Sequence, residues 1–471
     1  MAEITLKQSG KWMPADIQTP ISLFLGLVGS KQGILLESAE VDGRFGRFSV
    51  IAWNFRLRLS CKDGKLEVAV RDDRLESLRE LSGMDFIEGV REVMSRLHIE
   101  PAEGFEDLPP ITRGLYGYFG FGMAGLFEPK LLPLMPSENT EACLVLPGTV
   151  ALFDHLFHRL CLLSVMDGIK VNMDMRALER HMEAVVTGKA INMPEEVAYK
   201  RSVARAKELI TQGEAIQIVL STRFQAPFRG EPFALYRRLR QVNPSPYMFF
   251  IRLPTVTLLG SSPELLVQCQ DSNLTTCPIA GTRPRGATEA EDERLAQELL
   301  ADPKERAEHV MLVDLGRNDL GRIAEPGTVD VHKYMQVEKF SHVMHMTSYV
   351  KAKLAKGHDA LDVLAATFPA GTVSGAPKVR AMEIIAELEG LSRGPYAGAI
   401  GWIGLDKGRV DLDTGITIRS LWVRDQSVHW QAGAGIVFDS DPDKEWQECH
   451  NKARVLQQVL SEKGGGDVFA Y

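Results

Sequence analysis

The chain has 471 residues, 45% of them hydrophobic and 25% charged, which is typical of a globular protein with two or more domains or one large core. A net charge of −8 without any long basic run argues against nucleic-acid binding as a main function. The six cysteines show neither CxxC pairs nor metal-ligand spacing, which predicts reduced, mostly buried thiols in a cytoplasmic protein. We expect neither a signal peptide nor a membrane span, because the N-terminus lacks a long apolar run.

Residues 1–190 are predicted to form one mainly β region. Apolar or alternating runs predict strands over 33–38, 47–53, 55–59, 66–70, 143–153 and 159–165, with a helix over 85–97. In 114–122 glycines alternate with large residues. This pattern indicates either backbone contact with a ligand or a tightly packed sheet, and the packed sheet is favoured.

A change of composition at 188–194 predicts a boundary, after which residues 191–471 form a second region. Helices are predicted over 195–212 and 233–240, and strands over 216–221, 248–251, 257–260 and 273–277. The next segment, PIAGTRPRG (278–286), is rich in proline and glycine and predicts a stiff basic turn before a helix that starts near Glu289. It is either an ordinary surface turn or part of an anion site.

Clear start signals mark the later helices. Asp302 followed by proline predicts an N-cap and a helix to about residue 315. A further helix is predicted from 375–377 to Gly390, and the last from 441–442 to about 463. Strands are predicted between them over 399–404, 415–423 and 427–431.

Basic and small residues suggest a site for an anion. Arg283 and Arg285 flank the PIAGTRPRG segment, and Arg419 stands in an otherwise apolar predicted strand, where a bidentate carboxylate would suit it. The run 431–435, QAGAG, has side chains small enough for its N–H groups to form an exposed nest.

Acidic residues suggest a hard cation. Glu308 in mid-helix and Glu448 near the positive end of the last helix could ligate Mg²⁺, although a solvated salt-bridge row with Lys452 is the alternative for Glu448. Glu264, fixed by the proline before it, suits a general acid. These patterns alone predict a Mg²⁺-dependent enzyme or a binder of a small carboxylate.

Several long motifs in one order resemble those of the chorismate-utilising enzymes, and within that family those of component I of the anthranilate synthases. They are PIAGTRPRG (278–286), ERAEHVMLVDLGRNDLGRI (305–323), FPAGTVSGAPK (368–378), DLDTGITIRS (411–420), QAGAGIV (431–437) and NKAR (451–454). The resemblance covers about residues 20–460. It implies an α+β fold of packed antiparallel β-sheets, with a sandwich-like core, helices on the outside and an active site in the C-terminal part.

The resemblance also implies roles for individual residues. The substrate, chorismate, would be bound by Gly281, Thr282, Tyr396, Arg419, Gly433, Ala434 and Gly435. The implied catalytic set is Glu264, His345, Thr282, Gln217 and Lys452. In it Glu264 is the general acid for loss of the C4 hydroxyl, and His345 serves the second step, loss of pyruvate. Glu308 and Glu448 would hold Mg²⁺.

Two positions imply the product. Gln217 stands where relatives that use water carry a lysine base, which fits ammonia as the nucleophile. Ala280 stands where the enzymes that form the para product carry a nucleophilic lysine, which argues for the ortho product, anthranilate. Aminodeoxychorismate synthase component I and isochorismate synthase are the rival enzymes, and a non-catalytic chorismate or tryptophan sensor is the alternative of another class.

The resemblance finally implies a partner and an inhibitor. Since the sequence has no amidotransferase nucleophile motif, ammonia would come from solution or from a separate glutaminase subunit. The resemblance implies the second source, component II in a hetero-oligomer, which is a heterotetramer in this family. Residues 1–190 would be regulatory and 191–471 catalytic. Feedback inhibition by tryptophan is implied at Leu36, Glu37, Ser38, Pro246, Tyr247 and Met248.

Overall fold

The fold is built from long antiparallel β-strands with helices around them, as the resemblance to the chorismate-utilising enzymes implies. A computed structural model describes residues 3–38, 46–136, 141–166, 185–339 and 343–461. Within those ranges, every strand pairing but one is antiparallel, the exception being the first and sixth strands. None of the described helices combines the length and the apolar character needed to cross a membrane.

The strands of the described residues are β1 Ile4–Lys7, β2 Ser9–Pro14, β3 Gly33–Glu37, β4 Phe48–Lys62, β5 Lys65–Val70, β6 Leu97–Glu100, β7 Gly114–Phe119, β8 Ala142–Asp154, β9 Arg159–Ser164, β10 Val186–Thr187, β11 Ile191–Met193, β12 Gln217–Arg229, β13 Tyr247–Arg252, β14 Thr257–Ser262, β15 Leu265–Gln270, β16 Asn273–Thr276, β17 Ile279–Pro284, β18 Asp330–Lys339, β19 Val343–Lys353, β20 Gly375–Ala376, β21 Ala399–Gly404, β22 Leu412–Ile416, β23 Ser420–Arg424 and β24 Ser427–Ile436.

Two series of paired strands share β4 and β8. One series runs β11-β12-β24-β23-β14-β13-β3-β4-β8-β9-β2, and the other runs β5-β4-β8-β7-β21-β22-β15-β16-β19, with β17 and β18 both on β19. β4 and β8 are 15 and 13 residues long, which lets their two halves pair in different series. The candidate site lies where β12, β24, β22, β17 and β19 end or bend.

The helices are α1 Pro20–Leu27, α2 Phe86–Arg96, α3 Ala124–Phe127, α4 Glu196–Thr211, α5 Pro232–Val242, α6 Glu289–Ala301, α7 Pro303–Gly321, α8 Ala360–Thr367, α9 Gly371–Ser374, α10 Lys378–Glu389 and α11 Pro442–Leu460. Short 3₁₀ helices cover Asp73–Leu81, Pro110–Thr112 and Phe121–Met123. The predicted caps are confirmed, because Asp302 and Asp441 accept from backbone N–H groups of α7 and α11, and left-handed Gly390 ends α10. However, α7 runs past residue 315 to Gly321.

Three local predictions are wrong. The PIAGTRPRG segment is mostly strand β17, whose only partner among the described strands is β19 and which bulges at left-handed Gly281. The predicted strand 415–423 breaks between β22 and β23, with Arg419 at a φ of 48°. The QAGAG run lies inside β24 and pairs with β12, so it is not a free nest. In each case non-local pairing decided the backbone.

The favoured interpretation of residues 114–122, a tightly packed sheet, is confirmed for the strand that begins them. Every residue of β7 is buried, and a Cβ on Gly117 would lie against the Cys143 carbonyl oxygen. All six cysteines are buried and unpaired, as predicted. Strands from both sides of residue 190 pair with one another, as β3 does with β13 and β7 with β21. The division into two functional regions at that point stays a prediction.

Candidate active site

Glu264 is a half-buried carboxyl group between β14 and β15. The Thr372 hydroxyl donates a 2.7 Å hydrogen bond to its Oε1. Burial raises the pKa of Glu264 to about 7, although Thr372 and the charges of Arg419 and Lys452 act in the opposite direction. At neutral pH about half of this group is therefore protonated, as a general acid requires.

Arg419 lies in the break between β22 and β23. Its left-handed backbone is held by its carbonyl oxygen, which accepts from the Ser261 N–H at 3.1 Å. Its guanidinium has one long contact, 3.5 Å from Nη1 to Asn243 Oδ1, and lies in electrostatic range of Glu264. Burial lowers the pKa of Arg419, but the side chain remains cationic. This cation lacks a hydrogen-bonded carboxylate partner among the described residues.

β24 carries two glycines, Gly433 and Gly435, whose backbone N–H groups are not used in pairing with β12. Ser221 and Val219 of β12 stand opposite Gly433 and Gly435, yet their backbone groups bond elsewhere: the Ser221 N–H to Glu389 and the Val219 carbonyl oxygen to Arg393. Residues in such non-hydrogen-bonded pairs of an antiparallel ladder direct their N–H and C=O groups away from the partner strand. The N–H groups of Gly433 and Gly435 therefore point away from β12, whereas that of Ala434 belongs to the ladder.

Tyr396 and Lys452 meet at Gly433. A Cβ on Gly433 would lie 2.9 Å from the Tyr396 hydroxyl, so this position has no room for a side chain. Lys452 donates from Nζ to the Gly433 carbonyl oxygen at 3.0 Å and to Glu448 at 2.8 Å. A tyrosine hydroxyl, a lysine and a glycine backbone thus converge on one point.

Gln217, at the start of β12, faces Gly435. Its Nε2 lies 2.6 Å from where a Cβ on Gly435 would be. The side chain is 6% exposed, and its Oε1 is buried without a hydrogen-bond partner among the described residues. A buried acceptor left in this way is costly, and a small donor bound in the site would satisfy it.

His345 on β19 faces the bulge in β17. Its Nδ1 lies 3.0 Å from the Gly281 carbonyl oxygen and 3.1 Å from Thr282 Oγ1. Because a carbonyl oxygen only accepts, we assign the proton to Nδ1. Burial lowers the pKa of His345, the hydrogen bond to the Gly281 carbonyl oxygen acts in the opposite direction, and the charge of Arg419 lowers the pKa further. The lowered pKa favours the neutral ring at pH 7.

Glu308 of α7 and Glu448 of α11 lie within electrostatic range of each other. Burial and the charge of Glu305 raise the pKa of Glu308, the charges of Lys452 and Lys304 lower it, and the charge of Glu448 raises it by a smaller amount. A divalent cation would relieve this repulsion, so the donors fit Mg²⁺ with water and substrate oxygens completing its shell. The described residues contain no group of three or more His, Cys, Asp or Glu side chains that could hold a metal.

The two arginines of β17 do not join this site. Arg285 forms hydrogen bonds with both carboxylate oxygens of Asp292 at 2.6–3.1 Å, and Arg283 bonds Asp302 at 3.0 Å. Their expected role in binding an anion is therefore wrong, because acidic residues of α6 and of the α6–α7 junction already neutralise them. Gly281 and Thr282 of the same segment do reach the site through His345.

The residues expected to bind tryptophan lie on paired strands, with Leu36 opposite Phe249 and Glu37 opposite Met248. The Glu37 carboxylate already accepts from Tyr236 and Arg240, and Met248 is buried in the core. Ser38 Oγ is buried without a hydrogen-bond partner in the described part of the chain. Half-buried Pro246 and Tyr247 precede Met248, and the Tyr247 hydroxyl donates to Asp413 at 2.8 Å.

Sequence reasoning missed Thr372 and Asn243, which contact Glu264 and Arg419. Thr372 stands in FPAGTVSGAPK, so the motif itself was the available signal. Asn243 precedes the segment assigned to the inhibitor, and nothing in its spacing pointed to Arg419.

Comparison with known proteins agrees with the geometry. Residues 35–458 match the family described as chorismate binding enzyme. Anthranilate synthase component 1 of Aquifex aeolicus is 42% identical over 94% of this chain and 92% of its own length, and that of Thermus thermophilus is 42% identical over 95% and 96%.

Solved structures of anthranilate synthase component I and of an isochorismate synthase also match this chain. The crystal structure of anthranilate synthase component I from Streptococcus pneumoniae matches with a TM-score of 0.72 and 33% identity, over 95% of this chain and 99% of that one. The menaquinone-specific isochorismate synthase of Escherichia coli has a TM-score of 0.72 at 20% identity, over 98% and 96% of the two chains, which supports the fold alone.

Proposed function

The chain belongs to the chorismate binding enzyme family, and we propose that it is component 1 of an anthranilate synthase. In this proposal it converts chorismate and ammonia to anthranilate, pyruvate and water, as a lyase. The observation that carries the proposal is the convergence of Arg419 and Lys452 on Glu264, a half-buried carboxyl group with a pKa of about 7, with Lys452 also bonded to Gly433 of β24.

This arrangement suits a dianion. Chorismate carries two carboxylates, and removing them from water is costly unless charges and hydrogen-bond donors replace the solvent. Arg419 supplies a planar fork, Lys452 a second positive charge, and Gly433 and Gly435 backbone N–H groups. Such preorganised donors each contribute on the order of 3–4 kcal/mol to the transition state.

The first step forms a C2–N bond and breaks the C4–O bond. Gln217 Oε1 accepts a hydrogen bond from ammonia, and Glu264 gives its proton to the departing C4 hydroxyl, which leaves as water. Ammonia already carries the lone pair that attacks, so no lysine base is needed at position 217.

The second step releases the side chain. The C2 proton is lost, the C3–O bond to the enolpyruvyl group breaks, and the product becomes aromatic. We assign the uptake of that proton to neutral His345, whose ring orientation is fixed by the bond between Nδ1 and the Gly281 carbonyl oxygen. The enol of pyruvate then becomes the keto acid.

Glu308 and Glu448 would hold Mg²⁺, which stabilises negative charge on a substrate carboxylate when it is bound. Lys452 pairs with Glu448 and donates a hydrogen bond to the Gly433 carbonyl oxygen. Its ammonium group therefore links the proposed metal site to the proposed site for the substrate carboxylate.

The product is proposed from Ala280. This residue is 6% exposed in β17, and its methyl group cannot act as the nucleophile that the para product requires. We further propose a cytoplasmic hetero-oligomer with a component II that supplies ammonia, and tryptophan as an inhibitor bound beside Ser38, whose buried hydroxyl lacks a partner among the described residues.

Anthranilate fluorescence tests the proposal. The purified chain with chorismate, Mg²⁺ and ammonium should form anthranilate, glutamine alone should not replace ammonium, and added tryptophan should lower the rate. Glutamate release from glutamine by the chain alone would contradict the assignment of the partner. Binding of chorismate without turnover would identify a sensor.

A further inference from the structure

The outer edge of β12, the edge away from β24, lacks a strand along the residues that stand opposite Gly433 and Gly435. β20 pairs with β12 at Gln217 and Ile218, and β11 pairs with it from Arg223 onward. Between them, the residues from Val219 to Thr222 have no strand on this side in the described part of the chain. Their outward backbone groups need other partners, because buried N–H and C=O groups are almost always bonded.

A buried ion pair fills this gap. Arg393 donates from Nη2 to the Val219 carbonyl oxygen at 2.7 Å, and Glu389 Oε1 accepts from both the N–H and the hydroxyl of Ser221 at 2.8 Å. The two side chains bond each other at 2.9 and 2.7 Å, and they are 1% and 6% exposed. The pair thus takes the place of a strand along β12.

The same guanidinium reaches two further parts of the site. Its Nη1 donates to the Val373 carbonyl oxygen at 2.7 Å, next to Thr372, the residue that bonds Glu264. Its cationic carbon lies 5.7 Å from the centre of the Tyr396 ring, and the Arg393 carbonyl oxygen accepts from the Tyr396 N–H at 3.2 Å. One side chain therefore contacts β12, α9 and the loop that carries Tyr396.

We infer that Arg393 and Glu389 form a positioning pair for the active site. The pair takes the outward groups of Val219 and Ser221, so the opposite glycines, Gly433 and Gly435, keep their own N–H groups directed away from β12. It also fixes the spacing between these glycines, Tyr396 and Thr372. The pair acts through these residues, because nearly complete burial keeps both side chains from substrate.

An ion pair suits this task better than apolar packing. Four of the five N–H donors of Arg393 form hydrogen bonds with oxygen atoms on three separate elements, and the planar fork fixes their angles. Lysine would keep the charge but not the fork. The exchange Arg393→Lys therefore separates charge from geometry.

The chain offers a matched control. Arg113 is 5% exposed and forms hydrogen bonds with both carboxylate oxygens of Asp406 at 2.6 and 2.8 Å, and its guanidinium also donates to Thr112 and Leu108. None of these is a site residue. Arg113→Lys should therefore cost stability in the same way as Arg393→Lys without touching the site.

The experiment rests on the proposed function and measures steady-state anthranilate formation and thermal unfolding of the full chain. Arg393→Lys should raise the KM for chorismate about tenfold and lower kcat, since displacement of site groups by about 1 Å can cost up to about 100-fold. Arg113→Lys should keep both constants within about twofold of wild type, although both variants unfold at a lower temperature.

A folded Arg393→Lys variant with wild-type constants, or an equal change in Arg113→Lys, would overturn the inference. If Arg393→Lys does not fold, Glu389→Gln decides the matter, because the amide keeps an acceptor for Ser221 but loses the charge. It should raise the KM for chorismate about threefold, since charged hydrogen bonds exceed neutral ones by a modest factor, and an unchanged KM would contradict the pair's role. If wild type makes no anthranilate, the proposed function fails separately, and a calorimetric Kd for chorismate in the same variants tests the inference.

Discussion

Two arginine-bearing segments of this chain have opposite roles. β17 carries Arg283 and Arg285, and both guanidinium groups form ion pairs with acidic residues of α6 and the α6–α7 junction. The break between β22 and β23 carries Arg419, whose guanidinium makes a long contact of 3.5 Å with Asn243. In the sequence β17 is the more basic segment, yet in the structure Arg419 is the cation available to a ligand. Partners, not the density of charge, decide which arginine can bind an anion.

Removing Arg419 should have the largest effect. Arg419→Ala should lower kcat/KM for chorismate about 10³-fold, because it removes a preorganised fork from a half-buried site. Arg285→Ala, the matched control, should stay within about twofold of wild type. Steady-state kinetics at saturating Mg²⁺ and ammonium measure both, and equal losses in the two variants would break the comparison.

Glu264 should give the next largest effect. Glu264→Gln should lower kcat about 10²-fold, the smaller end of the range for general acid catalysis. Because the pKa of Glu264 in the free protein is about 7 and the protonated form is needed, wild-type kcat/KM should fall as pH rises above about 7. The pH profile of kcat/KM checks this.

Thr372→Val sharpens the same test. The Thr372 hydroxyl favours the ionised form of Glu264, so its loss should raise the pKa and move the falling limb of the profile to higher pH. A limb that stays in place, or moves to lower pH, would assign the titration to another group.

The metal prediction concerns affinity more than rate. Glu448→Gln should raise the Mg²⁺ concentration for half-maximal activity by about tenfold or more, and chelation should abolish wild-type activity. Glu298→Gln is the control, since Glu298 lies beside Arg283 in the other arginine-bearing region. An unchanged Mg²⁺ requirement in Glu448→Gln would contradict the assignment of this ligand.

The smallest effect is expected in Arg285→Ala, and it concerns stability. Arg285, with the Gly286 N–H, lowers the pKa of Asp292 to about 2. The stabilisation of the folded state by this interaction is therefore present above the ordinary pKa of about 3.9 and is lost as pH falls toward 2. In the variant the pKa should rise toward its ordinary value. Thermal unfolding from pH 2 to 7 should show a midpoint lower by a few degrees at neutral pH, with a smaller difference at pH 2.

Local signals in the sequence were sufficient for the helices. Asp302, Asp441 and Gly390 each set a helix end by hydrogen bonds or φ values within a few residues, which a sequence displays directly. Alternation likewise predicted residues 55–59 of β4 and residues 66–70 of β5, since burial of one face repeats every second residue.

Non-local pairing explains the failures. β17 is a strand because β19 supplies its ladder, and the break at Arg419 exists because Ser261 and the loop near Gly398 bind residues 417–419 from elsewhere in the chain. The resemblance named site residues that the structure brings together, yet it missed Arg393 and Glu389. Their partners are mostly backbone atoms, which no side-chain motif records.

The most direct test of the account follows the nitrogen. The chain is incubated with chorismate, Mg²⁺ and ¹⁵N-ammonium, and the products are separated and examined by mass spectrometry and ¹⁵N NMR. The account predicts anthranilate that carries the label on the carbon next to the carboxylated one, with an equal amount of pyruvate. An unlabelled hydroxylated product, or a label at the para position, would contradict it.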